Sequence, residues 1–262
     1  MKLIMRYVGL ASVFLTGFLL MYAVLDFPDW GDPNSPASTH LSTHFIQKTY
    51  EETKVPNLVT AVLADYRGMD TMLETAVIFV AGIAIIAILR RGKSPRQSTK
   101  RVPPNFSQTR KNGHGERDLI IRITSRLLLP PIQLFALYVI AHGHYSPGGG
   151  FQGGVILTAS LILVALSFGL RGSLTWFSER RALVFANIGV LIFAGTGLIA
   201  LILGENFLEY GVLEKIYPAT DEVMAHSYTM LVVEIGVGFT VMSILFLIFA
   251  NLASKGTLRR GI

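Results

Sequence analysis

The stretch "LLLPPIQLFALYVIAHGHYSPGGGFQGGVILTASLILVALSFGL", residues 127–170, decides the fold. Two apolar runs flank a polar interruption at 141–154, "AHGHYSPGGGFQGG". An apolar run of about 20 residues is long enough to cross a bilayer as a helix. Pro147 cannot continue a helix but fits the first turn of a new one. Gly148, Gly149 and Gly150 permit a backbone that other residues would strain. The spacing predicts a helical hairpin: one helix ends near His142, the chain reverses tightly, and the next helix begins at Pro147–Phe151. Gly150, Gly154 and Thr158 recur every four residues, a stripe of small side chains suited to close helix contact. Pro147, Gly148, Gly149, Gly150, Gly153 and Gly154 are therefore read as turning and packing positions.

Working outward, six runs read as membrane spans: Tyr7–Leu25, Met72–Leu89, Leu127–Ala141, Phe151–Leu170, Ala182–Leu203 and Met230–Leu252. The third is short, but it extends backward through "LIIRITSR", because arginines near a helix end reach the interface. The first follows Lys2 and Arg6, as a signal peptide would. Its long apolar run and the lack of a small-residue cleavage pattern favour a retained helix. The chain of 262 residues is 51% hydrophobic and 15% charged, so the expectation is an all-α, polytopic membrane protein. There is no cysteine, which excludes disulfide and thiolate chemistry from this chain. A net charge of +6 would suit nucleic acid, but in a membrane protein basic excess marks cytoplasmic loops.

Orientation follows from those charges. With the N-terminus in the cytoplasm and the spans alternating, of the 23 Lys and Arg residues only Lys48, Lys54, Arg67 and Lys215 fall on the far side. Most of the acidic residues fall there too. Both termini are expected inside. Residues 91–116, rich in Lys, Arg, Ser, Gly and Pro, read as a basic cytoplasmic linker. It separates a two-span segment, residues 1–90, from a four-span domain, 117–262. Unequal span numbers argue against internal duplication. In the outer loop, "DFPDWGDPNSP" is rich in turn residues, and "HFIQKTYEETKVP" is compatible with a short helix on the membrane surface.

A few polar residues interrupt the apolar runs. Asp70 and Glu74 are one helical turn apart and share a face of the second span. Asp70 stands at the mouth, where the helix dipole favours an acid. Glu74 lies a turn deeper and is expected to face protein or trapped water, where desolvation would raise its affinity for protons and a nearby cation would lower it; the alternative is a glutamate still at the interface, reaching water. Glu234 lies inside the sixth span between apolar neighbours. Its Gly238 sits one turn on, a place for another helix to approach. His142 and His144 belong to the polar interruption, and histidine is the side-chain type whose ordinary pKa lies nearest physiological pH. With no further ligand nearby they make a poor metal site, and none is expected. Asn187 in the fifth span suits an interhelical hydrogen bond.

The motifs carry a resemblance. Gly143, His144, Pro147, Gly148, Gly149, Gly150, Phe151, Gly153 and Gly154 make a "GHxxPGGGFxGG" pattern. With "TMLVVEIGVGFTVMSI" it resembles the B-type subunit of the Mrp-type multisubunit cation/proton antiporters, the MnhB family, over about 117–255. Asp65, Tyr66, Arg67, Gly68, Asp70, Thr71 and Glu74 make a "D(F/Y)RGxDTxxE" pattern. That part resembles the C-terminal end of the large A-type Mrp subunit, which stands alone as the E-type subunit of membrane-bound hydrogenases. The resemblance implies a plasma-membrane, multi-pass subunit of a larger complex, beside the proton-pumping subunits, with a role in sodium-ion or proton passage. It maps the family's helix glutamate onto Glu74 and its loop histidine onto His144. It implies other complex subunits, Na+ or H+, and the lipid bilayer as partners, and no nucleic acid and no cofactor. His142 and the presence of both pieces on one chain depart from the pattern.

Glu74, His144, Glu234, Asp70 and His142 are thus the ion-path candidates. No nucleophile–base set, nucleotide loop or cluster-ligand set accompanies them, so the chain is expected not to be an enzyme. The competing expectations are a purely structural subunit, whose glycines pack helices and whose carboxylates pair with neighbours, and a metal site built from His142, His144 and His226.

Overall fold

The computed structural model describes residues 2–91, 115–217 and 221–256. Most of the basic linker, 92–114, lies outside the described residues. Among the described residues the ordered elements are all helical, and six helices are long and apolar enough to cross a membrane.

The chain divides into two compact units, Met1–Lys48 and Thr49–Ile262. In the first, α1 (Lys2–Val24) is apolar on all sides and exposes Val13, Phe14, Phe18 and Met21. A helix apolar all round has no water-facing side, which suits lipid or a helix of another chain. A wide helical turn at Ala37–Leu41 leads into α2 (Ser42–Thr53), which runs across the boundary between units.

In the second unit a one-turn helix, α3 (Leu58–Ala61), and a turn at Val62–Tyr66 precede α4 (Gly68–Arg91). Then follow α5 (Gly115–Ala141), α6 (Gly150–Phe168), the short α7 (Leu170–Trp176), α8 (Glu179–Ile202) and α9 (Glu222–Ala253). The backward extension of the third span is observed in α5, which runs on through Pro130 and Pro131. Gly169, with φ +84°, separates α6 from α7, in a region that strains other residues. The sixth span starts earlier than its apolar run, at Glu222. Asp221 caps it by accepting from the Met224 amide at 2.9 Å, so the polar segment containing His226 and Tyr228 is helical.

The centre of this unit is α9, against which α4, α6 and α8 pack, while α5 packs on α6. Small residues make this arrangement possible. A Cβ at Gly189 of α8 would lie 2.2 Å from the carbonyl oxygen of Gly236. One at Gly154 of α6 would lie 2.9 Å from that of Gly238. Backbones that close exclude lipid and let polar side chains cross between helices. Thr158 donates to the Met242 carbonyl at 3.1 Å, and Thr240 to that of Ala186 at 3.2 Å. The expected partner role of Asn187 is not observed: its amide donates to Leu183 of its own helix, at 2.6 Å.

The region before α4 shares this core. Val55, Ala61 and Ala64 are buried in one cluster with Phe193, Met230 and Val233. At the other end of α4, Arg90 pairs with Glu179 at 2.7 Å and donates to the Asn251 side chain at 2.9 and 3.1 Å. The packing boundary at Lys48 thus falls well before the basic linker, and α4 shares a unit with the helices that follow it.

These contacts give a direct test. Gly150→Ala and Gly189→Ala should each destabilise by roughly 1–3 kcal/mol or more, because the methyl meets backbone that cannot rotate away. Gly195→Ala, where a Cβ meets nothing within 4 Å, should be neutral or stabilising by up to about 1 kcal/mol. Thermal unfolding in mild detergent, with yield of intact protein, measures the contrast.

Candidate functional site

Residues 55–57, "VPN", set the loop between α5 and α6. Pro56 restricts the chain, and Asn57 takes an extended conformation as the N-cap of α3, its Oδ1 accepting from the Val59 amide at 3.1 Å. Its side-chain amide donates to the carbonyls of Gly143 at 2.7 Å and Ser146 at 2.9 Å. Its backbone amide donates to the His144 carbonyl at 2.9 Å, and Thr60 donates to the Gly143 carbonyl at 2.8 Å. A loop whose carbonyls would otherwise lack partners is thereby held by four bonds to a distant segment.

The held loop encloses Glu234. A Cβ at Gly143 would lie 2.6 Å from Glu234 Oε2, and one at Gly149 2.7 Å from Oε1. A Cβ at Gly150 would come within 1.9 Å of the Glu234 carbonyl oxygen. Gly148 and Gly149 have φ values of +152° and +134°. The glycine run is thus needed twice over, for its backbone and for the space it leaves around one carboxyl group. Glu234 is 8% exposed, and its Oε2 is buried with no hydrogen-bond partner. A buried charge without a partner costs several kcal/mol, so this position calls for a proton or another cation.

Glu234 opens onto a cavity of about 420 Å³. Its walls are Val233, Glu234 and Val237 of α9; Thr71, Glu74, Thr75 and Ile78 of α4; Pro147 to Gln152 at the start of α6; and Asn57, Val59, Thr60, Leu63 and Ala64. Val59, Pro147 and Phe151 on its rim are exposed, so the cavity opens to the outside of this chain. The volume is ample for several water molecules, and the polar side chains set in a mainly apolar wall give them partners. Two carboxylates, from residues 160 apart in sequence, therefore share one space.

The two carboxylates sit in different environments. Glu74 lines the cavity but is exposed in this chain, so the expected desolvation is not observed there. The carboxylate removed from water is Glu234, because α9 is the helix the others surround. His144 is also buried, 8% exposed, and its Nε2 has no partner. Burial lowers its pKa from the ordinary 6.5 and favours the neutral ring. It does not line the cavity. Asp70 pairs with Arg67 on the exposed side of the α4 start. His142 is exposed and stacks on Tyr138, ring centres 4.0 Å apart, away from both carboxylates. His142, His144 and His226 do not converge; among the described residues no three His, Cys, Asp or Glu side chains are placed to hold a metal ion.

Sequence reasoning missed Asn57, although Pro followed by Asn before an apolar run is a helix-start signal. It also missed the pairing of His226 with Asp65, Nδ1 to Oδ2 at 2.7 Å. Their separation of 161 residues leaves no spacing signal.

With this geometry in hand, the comparisons with known proteins are specific. The family described as "Domain related to MnhB subunit of Na+/H+ antiporter" matches residues 120–247, and the MbhE family, the E-type subunit of MBH, matches residues 16–105. The chain is 30% identical over 139 residues to "Putative antiporter subunit mnhB2" of Staphylococcus aureus (strain Newman), covering 53% of this chain and 96% of that protein. It is 27% identical over 187 residues to a probable K(+)/H(+) antiporter A/B subunit of Rhizobium meliloti (strain 1021). That match covers 66% of this chain but only 18% of the relative, so the chain spans less than a fifth of that protein. Among solved structures, a chain of the membrane-bound sulfane sulfur reductase, an archaeal respiratory membrane complex, matches with TM-score 0.58 and 26% identity over 94% of this chain and 97% of that one. A chain of the Mrp complex from Dietzia sp. DQ12-45-1b has the same fold, with TM-score 0.59 and 23% identity over 94% of this chain and 26% of that one.

The buried His144 yields a pH prediction. Its folded-state pKa lies below the ordinary 6.5, so its contribution to stability is full above that pH and is lost as pH falls from there toward the lower folded-state value. Thermal unfolding in detergent should show a fall in Tm between about pH 7.5 and about pH 5.5. His144→Gln should make that fall smaller.

Proposed function

The chain belongs to the MnhB family of antiporter-related membrane subunits, and from that membership we propose that it contributes a path for Na+ or H+ within a larger complex. The complex is an Mrp-type cation/proton antiporter or a related respiratory membrane complex, seated in the plasma membrane with the chain crossing it several times. The chain acts with other subunits and is itself a transport subunit without catalysis; redox chemistry, where the host complex has it, belongs to a neighbour. Its segments serve as an MbhE-like piece over 1–90, a cytoplasmic linker over 91–116 and an MnhB-like domain over 117–262, arranged as two and four spans with both termini in the cytoplasm.

One observation carries this reading. The buried, unpartnered carboxyl group of Glu234 faces a cavity whose mainly apolar wall also carries Glu74 and a few other polar side chains. A helix bundle that needed only packing would be more stable with an apolar residue at 234. An ionisable group kept inside a membrane span is a functional residue by default. The cavity also draws its walls from both family-matched pieces, so a single chain completes it. In this reading Glu74, exposed at the open side, exchanges the ion with the neighbouring subunit, and Glu234 holds it inside. His144 sits behind the loop as a neutral, buried support, while Asp70 and His142 lie outside the cavity.

The Gly-rich contacts favour a second reading, in which the subunit only packs between larger ones. Glu234→Gln and Glu74→Gln separate the two, since both keep shape and remove the charge. Complex assembly should stay near normal, and ion transport by membrane vesicles should fall by roughly tenfold or more in each. Glu74→Asp should be intermediate. Parent-like transport in both Gln variants, with normal assembly, would establish the packing role instead.

A further inference from the structure

A second cluster lies on the same unit, where the start of α9 meets the turn before α4. His226 Nδ1 is 2.7 Å from Asp65 Oδ2, and its Nε2 is 3.7 Å from Glu209 Oε1. The three side chains differ in access to solvent: Glu209 is 42% exposed, His226 17% and Asp65 9%. One imidazole ring thus stands between a wet carboxylate and a nearly buried one. We propose that Glu209, His226 and Asp65 form a proton relay leading from solvent toward the Glu74–Glu234 cavity. The inference rests on the reading of that cavity as part of an ion path.

The geometry distinguishes a relay from a static pin. A pin needs one ring nitrogen, and the 2.7 Å contact with Asp65 supplies it. Here the second nitrogen also faces a carboxylate, across a gap longer than a hydrogen bond, which a rotamer change in the exposed Glu209 or one water molecule closes. Gly211 keeps that side open: a Cβ there would come within 3.1 Å of Nε2. Tyr210 closes another side. Its ring lies edge-on to the imidazole at 6.2 Å, and its buried hydroxyl has no partner. Burial pushes that phenol's pKa up, so it stays a neutral wall. The other charged group facing the ring is Glu222, on the same helix.

A proton from Glu209 binds Nε2, and the ring releases its Nδ1 proton to Asp65; Asp65 then hands that proton on to water or a carboxylate of the cavity, and reprotonation of Glu209 from solvent with tautomer exchange restores the start. Asp65 belongs to the same turn as Leu63 and Ala64, which line the cavity. Along α9, His226 is eight residues from Glu234, about 12 Å. Asp65 does not itself line the cavity; the relay ends one residue along the chain from the wall at Ala64, and the last transfer crosses that gap.

The test uses the intact complex in membrane vesicles, with proton movement followed from about pH 6 to about pH 9. His226→Gln, Asp65→Asn and Glu209→Gln should each lower the rate roughly tenfold or more, with the largest loss where proton supply limits transport. Imidazole added to the medium should restore part of the rate of His226→Ala and none of the rate of Glu234→Gln. Glu209 is exposed enough that its substitution leaves folding intact. If Glu209→Gln follows the parent pH profile, and His226→Gln either does the same or fails to assemble, the relay is overturned and the pair is a pin. If Glu234→Gln alone is inactive, the cavity reading stands without the relay. If Glu234→Gln and Glu74→Gln transport like the parent, the cavity reading fails and the relay with it.

Discussion

The structure of the second unit depends on one close approach. The start of α6 meets α9 at Glu234 so tightly that a methyl at Gly150 would overlap the Glu234 carbonyl. Lipid tails are as apolar as the helices, so hydrophobic burial does little to hold them together inside a bilayer. Close backbone contact supplies the dispersion attraction that replaces it. The same stripe continues through Gly154 and Gly238, and its counterpart on the other side of α9 pairs Gly189 with Gly236. Packing by small residues makes α9 the most buried of the candidate spans, and Glu234 lies on its buried part.

That placement changes what Glu234 means. On a peripheral helix a glutamate stays open at the surface of the chain, as Glu74 does on α4. Enclosed by glycine backbone, Glu234 has no such exit, and the described chain offers it no basic partner. The cost of keeping it fits a role for the group itself. The cavity beside it is walled mainly by apolar side chains, with threonines, Asn57 and Gln152 contributing a few oxygen and nitrogen atoms. Arg67 pairs with Asp70 at the start of α4 and Arg90 with Glu179 of α8 at its far end, and no basic side chain of the described residues pairs with Glu234 between them.

The two family-matched pieces are one folding unit from Thr49 onward. Asn57 fastens the loop after α5, Val55 and Ala64 enter the core of α8 and α9, and Arg90 ties the far end of α4 to Glu179 and Asn251. These links join segments more than 80 residues apart. A chain that carries both pieces draws the cavity walls from each of them.

By itself the sequence determined the membrane class, six crossing helices, the hairpin at 141–154 and the family, because apolar run length and local glycine–proline chemistry are written in consecutive residues. It also singled out both cavity carboxylates, since a glutamate inside an apolar run is conspicuous in any order. It did not determine which of them is buried. Exposure depends on which helix the others surround, and that is settled by contacts between backbones far apart in the chain. The same limit hid the bond between Asp65 and His226, the reach of Asn57 across to Gly143, and the early start of α9, whose first turns are polar by composition and helical by capping. The reason is physical: periodicity records how a residue sits on its own helix, whereas desolvation and pairing record what the rest of the fold brings to it.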